Sequence, residues 1–495
     1  MRKKYLLKQS HVFETVLAVA PLEISHYIYK TILSRKNLMT KKILVCIAFV
    51  VVFAPAVFAQ KTGAAKEKKP NAEIQKMLRE VSAKQIETYI RKLVGFGTRN
   101  TNSDQNDPTR GIGAARDWIF SEFEKISREC GNCLTVEKQS FLQEPTPNRR
   151  IIQPTTITNV MATLRGTTDP DRIYVVSGHY DSMCGSPVDG KCDAPGANDD
   201  ASGTAAVIEL ARVMSKYKFD ATIIFLTVAG EEQGLLGSTY FAQQAKEKNL
   251  NIEAMLNNDI VGGVTTFKNA ANRQTVRVFS EGVPSNETQA EANTRRGVGG
   301  ENDSPSRQLA RFIKETADIY SPKFSVMMIY RRDRYLRGGD HIPFLERGFT
   351  AVRFTETNED YDHQHQNIRT ENGKFYGDTP EYVDFEYVAN VTRINAASLA
   401  RLALAPARPK NVGMVTTRLG NDTELRWDAS DAPDIAGYEI VWRDTVSPVW
   451  TNSINVGNVT SYVIKGMTKD NYFFGVRAVD KDGNKSPVSF PRPVR

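Results

Sequence analysis

The sequence predicts an α/β fold with a mostly parallel central sheet and helices on both faces, followed by an all-β sandwich domain. Between about residues 171 and 262, apolar segments of strand length alternate with amphipathic helical segments. This alternation is typical of a parallel sheet that is covered on both faces. Beyond about residue 405 the helical period disappears, and short alternating segments separated by turns follow, as in a sandwich. The length of 495 residues also favours two or more domains.

The N-terminal segment 1–59 is predicted to be an export signal. Lys41 and Lys42 precede the apolar run 43–53, and small residues then continue to position 59, which is the order of a secretory signal. A transmembrane anchor is the alternative. The 17 residues that follow Lys42 contain Pro55 and are few for a membrane span, so the signal is favoured.

The signal hypothesis sets further expectations. Met39 lies where a conventional signal would begin, and we expect it to be the true start. The lysine-rich residues 60–72 are expected to form a linker. The mature protein is then secreted or periplasmic, without a stable membrane span after the signal is removed.

The charge distribution disfavours nucleic acid as a partner. The formal net charge is +8. Residues 1–59 contain nine basic and two acidic residues and therefore carry +7 of it. The rest of the chain is nearly neutral, which is not the electrostatic footprint of a DNA- or RNA-binding protein.

The cysteines agree with export. Cys46 lies in the signal, and the other four form two close pairs, Cys130 with Cys133 and Cys184 with Cys192. The CGNC segment alone would also fit a metal knuckle or a redox motif, but the second pair lacks the spacing of a four-thiolate zinc site. We therefore expect two local disulfides, formed in an oxidising compartment.

The elements of the first domain can be assigned in order. Apolar periodicity predicts helices over 71–94 and 112–127. The alternating strands and helices that follow are strand 171–181, helix 203–217, strand 221–232, helix 234–248 and strand 254–262.

Residues 264–306 are polar and glycine-rich, and we expect an insertion or long loop there. Helices near 308–319 and 387–405 complete the first domain, assigned to 73–405.

The last part of the chain, 406–495, resembles a fibronectin type III module. The segment ALAPARPKNV marks the boundary, and short strands follow it. Trp427 is expected in the core, and Tyr472 fits a tyrosine corner. A generic β-sandwich that acts as a spacer is the alternative, and the partner of this domain is unknown.

Polar clusters at predicted strand ends carry the chemistry. Ligands of α/β sheets bind beyond the carboxyl ends of the strands. Past residue 59 the chain has four histidines, and all of them lie in these clusters. The clusters are GHYDS (His179, Asp181), GANDDASG (Asp199), AGEEQG (Glu231, Glu232), NNDIVGG (Asp259), GGDH (Asp340, His341) and YDHQHQN (His363, His365).

These residue types suit a catalytic site with two Zn²⁺ ions. Histidine and carboxylates without thiolate are typical of catalytic zinc. Two close metals need a carboxylate that touches both, together with about one histidine and one acid each. Three carboxylates and a hydroxide would neutralise two Zn²⁺. The donor set is predicted to be His179, Asp199, Glu232, Asp259 and His365.

Two acids remain beside that set. Glu231 neighbours a ligand without being needed as one, which suits a general base. Asp181, two residues after His179, suits the acceptor that fixes the imidazole tautomer.

Each cluster alone has an ordinary explanation. An acidic residue at a strand end is usually a capping residue or is exposed to solvent, and the DDASG segment fits a helix N-cap. Asp340 and His341 fit a helix cap and a satisfied histidine as well as a pocket role. His365 is preferred as the last ligand, with His363 as the alternative. The joint occurrence at successive strand ends favours a site.

The motifs GHYDS, GANDDASG and AGEEQG and the late histidine segment resemble the family-28 metallopeptidases. These are co-catalytic zinc exopeptidases typified by secreted bacterial leucyl aminopeptidases. The resemblance covers roughly residues 75–405 and implies a zinc exopeptidase fold, two zinc ions per chain and peptide or protein substrates. It implies one zinc ion on His179, Asp199 and Asp259, and the other on Asp199, Glu232 and His365.

The resemblance also implies that Glu231 is the general base and Asp181 the orienting acid. In GGDHIPF, Gly339 stands where the family has serine. The tyrosine that assists the tetrahedral intermediate is not cleanly matched, with Tyr335 as the candidate. Gln366 follows the last histidine, where the family usually has a small hydroxyl residue.

The function predicted from this set is hydrolysis of the N-terminal peptide bond by a zinc aminopeptidase. A carboxypeptidase on the same fold and a glutaminyl-cyclase-like single-zinc acyltransferase are the alternatives. A carbohydrate- or surface-binding protein with an inert α/β domain is disfavoured, because the complete donor set and Glu231 are present.

Overall fold

An eight-stranded mixed sheet forms the centre of the α/β part of the chain. The structure, a computed structural model, describes residues 70–263 and 272–495. The predicted signal, the candidate start and most of the predicted linker therefore lie outside the described residues. The α/β elements are α1 (Ala72–Arg79), α2 (Ala83–Val94), α3 (Gly111–Glu129), β1 (Leu134–Gln143), β2 (Thr155–Leu164), β3 (Asp169–His179), α4 (Ala201–Met214), β4 (Ala221–Val228), α5 (Leu236–Glu247), β5 (Asn251–Asn258), β6 (Thr275–Phe279), α6 (Gln289–Val298), α7 (Pro305–Tyr320), β7 (Ser325–Ile329), α8 (Ile342–Glu346), β8 (Ala351–Glu356), β9 (Arg369–Glu371), β10 (Lys374–Tyr376) and α9 (Phe385–Leu404).

The sheet confirms the predicted fold class. Its strand order is β1-β2-β4-β3-β5-β8-β6-β7. The central strands β4, β3, β5 and β8 run parallel, whereas β1, β2 and the β6–β8 pair add antiparallel neighbours. The carboxyl ends of the central strands therefore meet at one edge of the sheet.

Both faces of the sheet are covered, which explains why the central strands are apolar throughout. In β4, Ile223 and Phe225 belong to one core cluster, and Ile224 and Leu226 belong to the cluster on the opposite face. Successive side chains of a strand point to opposite faces. A strand buried on both sides is therefore a continuous apolar run rather than an alternating one.

The predicted helix over 71–94 is interrupted. Ser82 has an extended backbone, and its side chain accepts a hydrogen bond from the Gln85 amide. The Ser82 amide donates to Glu209 Oε1 at 2.7 Å. This N-cap begins α2 as a separate helix, which the apolar periodicity alone did not show.

Residues 264–306 were expected to form an insertion or a long loop, and a loop is wrong for the part that the structure describes. Strand β6 joins the main sheet between β8 and β7, and α6 begins with a capping box formed by Thr288 and Glu291. A strand of five residues at the far side of the sheet leaves too short a pattern to be recognised in a polar, glycine-rich segment.

The C-terminal part is all β, as predicted. Its strands are β11 (Gly413–Val415), β12 (Thr423–Arg426), β13 (Ile435–Asp444), β14 (Asn452–Gly457), β15 (Ser461–Ile464), β16 (Tyr472–Asp480) and β17 (Arg492–Val494). They form one sheet of order β15-β12-β11-β17 and a second of order β14-β13-β16. Trp427 is buried in the core against Tyr438, as expected, and Tyr472 packs at its margin against Phe474.

A buried charge cluster joins the sandwich to α7. Asp303, at the start of that helix, contacts Arg443 of the sandwich at 2.7 Å and Arg311 at 3.1 Å. All three side chains are almost completely buried. Nearby, Trp450 Nε1 donates to Gln308 Oε1 at 3.1 Å. Because removal of one partner would leave a buried charge unpaired, we expect this cluster to favour the observed docking of the sandwich on α7.

The two predicted local disulfides are present. Cys130 is bonded to Cys133, and Cys184 is bonded to Cys192. Disulfides of this kind persist in oxidising compartments. Over 70–263 and 272–495, no helix is both long and apolar enough to cross a membrane.

Candidate metal centre

His179 is the last residue of β3, and Asp181 contacts one nitrogen of its ring. Its Nδ1 lies 3.2 Å from the Asp181 backbone oxygen and 3.5 Å from Asp181 Oδ1. Its Nε2 therefore points the other way, to 3.2 Å from Asp199 Oδ1 and 3.9 Å from Asp259 Oδ1. With acceptors on Nδ1, the Nε2 nitrogen is left to act as a donor atom for a cation.

Asp199 lies on the loop that leads from β3 into α4. The carboxylate of Asp378 accepts hydrogen bonds from the Asn198 and Asp199 amides, at 2.7–3.0 Å. The next residue, Asp200, caps α4 through the Gly203 amide. The loop is thus fixed on both sides of Asp199, which explains why the DDASG segment combines a helix cap with a site residue.

Glu231 and Glu232 occupy the turn between β4 and α5. The carboxylate of Asp181 accepts both of their amides: Glu231 N at 3.3 Å and Glu232 N at 3.1 Å. Glu232 is buried, whereas Glu231 is partly exposed. One acid therefore orients His179 and the glutamate turn together.

Asp259 follows β5. Its Oδ1 faces the His179 ring, and Arg353 of the neighbouring strand β8 places Nη2 at 2.9 Å from the same oxygen. Asp259 and Arg353 are both buried.

The two late histidines separate. His365 Nε2 lies 2.9 Å from Asp199 Oδ2 and 2.9 Å from Glu232 Oε1. His363 instead stacks on Tyr382, and its Nδ1 contacts the Gly377 oxygen at 3.0 Å. His365 has a left-handed backbone (φ 53°), which places the two rings differently. The structure thus places His365 in the cluster of donors, whereas His363 packs against Tyr382.

The five predicted donors and Glu231, which was predicted as the general base, fall into two groups whose chemistry fits zinc. Histidine nitrogen and carboxylate oxygen without thiolate are the donors of catalytic zinc sites. Within each group the donor atoms lie within 4.8 Å of one another, close enough to converge on one ion. The groups are His179, Glu231 and Asp259, and Asp199, Glu232 and His365.

The electrostatics of the cluster are consistent with a cation-binding site. Burial lowers the pKa of His365, but Glu232 and Asp199 outweigh it and raise that pKa to about 11. Burial would raise the pKa of Asp199, yet His365 and His179 hold it well below its ordinary value. Loss of hydration and the neighbouring Asp259 and Glu232 raise the pKa of Glu231. Concentrated negative charge of this kind attracts a cation and perturbs titration, as at functional sites.

Asp340 and His341 lie beside this cluster and are fully buried. Burial and the nearby Asp181 and Asp259 raise the pKa of Asp340 to about 7. Burial lowers the pKa of His341 to about 4, and its Nε2 contacts the Arg332 backbone oxygen at 2.8 Å. His341 is thus neutral, and its Nε2 has a partner, but its buried Nδ1 has none among the described residues, so the satisfied histidine of the sequence interpretation holds for one ring nitrogen only.

Two departures from the family pattern have a structural counterpart. A Cβ atom on Gly339 would lie 2.8 Å from Arg353 Nη1, so a serine does not fit there without displacing the guanidinium. Tyr335 is 76% exposed and its ring contacts Arg331, outside the buried cluster.

Sequence reasoning missed three side chains of the site. Gln364 Nε2 donates to Asp199 Oδ2 at 2.8 Å. Asp378 anchors the Asp199 loop and Arg353 contacts Asp259. Gln364 adjoins His365 in sequence, which was a usable signal, whereas Asp378 and Arg353 are distant in the chain from the groups they contact.

A sheet edge that gathers buried histidines and carboxylates in this way fits a zinc-dependent enzyme of the α/β class. Residues 159–379 match Peptidase family M28, and curated relatives are similar along most of the chain. The chain belongs to Peptidase family M28 and is a zinc metallopeptidase that acts on peptide substrates.

The relatives are curated proteins and solved structures. A probable zinc metalloprotease of Pyrenophora tritici-repentis is 50% identical over 426 residues, covering 86% of this chain and 88% of the relative. One of Leptosphaeria maculans is 49% identical over 424 residues, covering 86% and 98%. The crystal structure of LapB from Legionella pneumophila aligns with a TM-score of 0.48 at 20% identity, covering 68% of this chain and 76% of that one.

Proposed function

We propose that the chain is a secreted exopeptidase with two zinc ions, and that it releases the N-terminal residue of peptides. One observation supports this more than any other. The two oxygens of Asp199 face different histidines, Oδ1 toward His179 Nε2 at 3.2 Å and Oδ2 toward His365 Nε2 at 2.9 Å. A carboxylate placed between two imidazoles has the arrangement of a bridging ligand.

The remaining donors divide around Asp199. Asp259 lies on the His179 side, at 3.9 Å from its Nε2, and Glu232 lies on the His365 side, at 2.9 Å. Each ion would then have one histidine, one acid of its own and the shared Asp199. Zinc bound here would lower the pKa of a coordinated water and polarise the scissile carbonyl.

Glu231 is proposed as the general base. It is the one glutamate of the turn that is partly exposed, and its carboxylate lies within reach of the His179 group. Glu231 would take the proton of the attacking water and deliver it to the leaving amine.

Asp181 is proposed as a positioning residue. Its carboxylate fixes both glutamate amides and lies beside His179 Nδ1. Asp181 would thus orient both His179 and the turn that contains Glu231, and so would fix the position of the base relative to the metal ligand.

Export is proposed from separate observations. The signal pattern at 1–59 and the disulfides Cys130–Cys133 and Cys184–Cys192 both suit a secreted or periplasmic protein.

The test combines metal analysis with one substitution. Purified full-length protein is expected to hold two zinc ions, to hydrolyse aminoacyl substrates and to reject N-blocked peptides. Glu231→Gln should keep both ions and lose activity by about 10²–10⁴-fold, the usual contribution of a general base. The surface variant Glu129→Gln is the matched control, since Glu129 is exposed.

The outcomes separate the alternatives. One ion per chain together with cyclisation of N-terminal glutamine would support the glutaminyl-cyclase-like function. Cleavage that requires a free C-terminus would support the carboxypeptidase. Near wild-type activity of Glu231→Gln would refute the assignment of the base.

A further inference from the structure

Arg353 is a buried cation beside the proposed metal site. It lies in β8, which runs parallel to β5 and places Arg353 opposite Asn257, two residues before Asp259. Its side chain has no solvent exposure, and its Nη2 lies 2.9 Å from Asp259 Oδ1. That oxygen is also the one that faces His179 Nε2, at 3.9 Å. The arginine therefore contacts the oxygen that is turned toward the proposed metal.

The guanidinium is held from its other edge. Arg353 Nη1 contacts Asp333 Oδ2 at 3.2 Å and donates to the Gly338 backbone oxygen at 2.7 Å. Asp333 is buried and is itself held by Arg334 at 3.0 Å. Nη1 is thus held by two acceptors, whereas Nε and Nη2 have no hydrogen-bond partner among the described residues, and Nη2 contacts Asp259 as an ion pair.

Gly339 leaves the space that the guanidinium occupies. A Cβ atom at position 339 would lie 2.8 Å from Arg353 Nη1 and 3.4 Å from Arg353 Cδ. The backbone of Gly339 is not in the left-handed region, so the conformation itself would accept alanine. The glycine therefore matters here for the space it leaves to the guanidinium, which a Cβ atom would displace, and not for backbone freedom.

We propose that Arg353 is a positioning residue that fixes the Asp259 carboxylate as a metal ligand, and that Gly339 makes this contact possible. The proposal rests on the proposed function. Asp199, Asp259, Glu231 and Glu232 bring four carboxylates together, and a guanidinium at one of them offsets part of their repulsion. Partners of ligating carboxylates orient the ligand, and their loss typically costs 10–100-fold in metal affinity.

A purely structural role makes a different prediction. If Arg353 served only to hold the 333–339 segment through Asp333, its displacement would lower stability and leave the metal-binding geometry of Asp259 unchanged. Metal binding and fold stability are therefore measured separately.

The experiment uses Gly339→Ala in the full chain, with Gly297→Ala as the control. Alanine at 339 displaces the guanidinium without removing its charge, whereas a Cβ at Gly297 meets no atom within 4 Å. Metal-free protein is titrated with Co²⁺, and the visible absorption and stepwise affinities are recorded. Denaturant unfolding of the metal-free protein is measured in parallel.

In Gly339→Ala, we expect one of the two Co²⁺ affinities to fall about 10–100-fold and the absorption of that ion to change. The second affinity should stay within about threefold, and Gly297→Ala should match the wild type in both. Arg353→Lys keeps the charge but loses the planar fork, so it should show the same selective loss.

Unchanged affinities and spectra in both Gly339→Ala and Arg353→Lys would overturn the proposal, as would equal loss of both ions that follows a lowered unfolding midpoint. If the wild type binds a single ion, the two-ion function fails instead. The ratio of the Co²⁺ affinities of Gly339→Ala and the wild type still tests whether Arg353 supports the binding of that ion.

Discussion

Replacement of Asp181 by asparagine tests how far one acid organises the site. The side chain keeps its shape but loses its charge and one acceptor. In the native protein, Oδ1 accepts the Glu231 amide, and Oδ2 accepts the Glu232 amide and the Thr101 hydroxyl. In the variant, the NH₂ group of asparagine takes the place of Oδ1 or of Oδ2, and in either orientation it faces one of these donors.

The magnitude follows from those contacts. A hydrogen bond to a charged group contributes about 1.5–3 kcal/mol, and a buried donor left unsatisfied costs about 1–3 kcal/mol. Asp181 is completely buried, so water does not replace the lost partner. We expect Asp181→Asn to lower the free energy of unfolding by about 3 kcal/mol. Because His179 also loses its orienting carboxylate, zinc affinity should fall about 10–100-fold.

Two assays measure the effect. Urea unfolding of metal-free protein gives the stability, and competition with a chromophoric chelator gives the zinc affinity. Asp171→Asn is the matched control, since Asp171 is exposed and lies on β3, the strand that leads to Asp181. Wild-type stability and wild-type zinc affinity in Asp181→Asn would refute the account of this carboxylate as the organiser of the turn and the histidine.

Two further predictions concern pH and the sandwich. The pKa of His341 is about 4 in the folded protein, below its ordinary value of 6.5, so the unfolded chain binds the proton first. Stability from this group is therefore present above about pH 6.5 and is lost as the pH falls toward 4, by about 3 kcal/mol at most. As the pH falls from 7 to 4, the unfolding free energy of His341→Gln, which can still donate to the Arg332 oxygen, should rise relative to that of the wild type by up to about 3 kcal/mol. A constant difference between the two proteins over this range would contradict the assignment. At the domain junction, Asp303→Ala leaves Arg311 and Arg443 buried without their carboxylate and should cost about 3–5 kcal/mol in urea unfolding. Arg492→Ala removes an exposed pair with Glu291 across the same junction and should cost less than about 1 kcal/mol; equal effects of the two variants would show that the buried cluster does not fix the docking.

The elements with long, regular patterns were predictable from the sequence. The continuous apolar runs at β3, β4 and β5 indicated strands buried on both faces, and the structure has them there. The β6 segment was not predictable, because a five-residue strand is set by the neighbours it pairs with. Helix α6 had a local signal, the capping box of Thr288 and Glu291, which the sequence analysis missed.

The site divides in the same way. Scarce histidines and acids at strand ends marked His179, Asp199, Glu231, Glu232 and Asp259 as candidates, because parallel strands deliver their carboxyl ends to one edge. No such rule separates His363 from His365, which lie two residues apart. Their positions follow from the backbone of one loop, with φ 53° at His365.

The sequence by itself determined which chemistry this protein can perform. The donor atoms are set by residue type, and most of the candidate residues follow a strand whose apolar pattern can be recognised locally in the sequence. Only the tertiary structure decided what surrounds those donors. Arg353 reaches Asp259 because β8 lies beside β5, and Asp378 reaches the Asp199 amides from 179 residues away in the chain. Contacts between residues so distant in sequence depend on how the elements pack, and no local pattern records them.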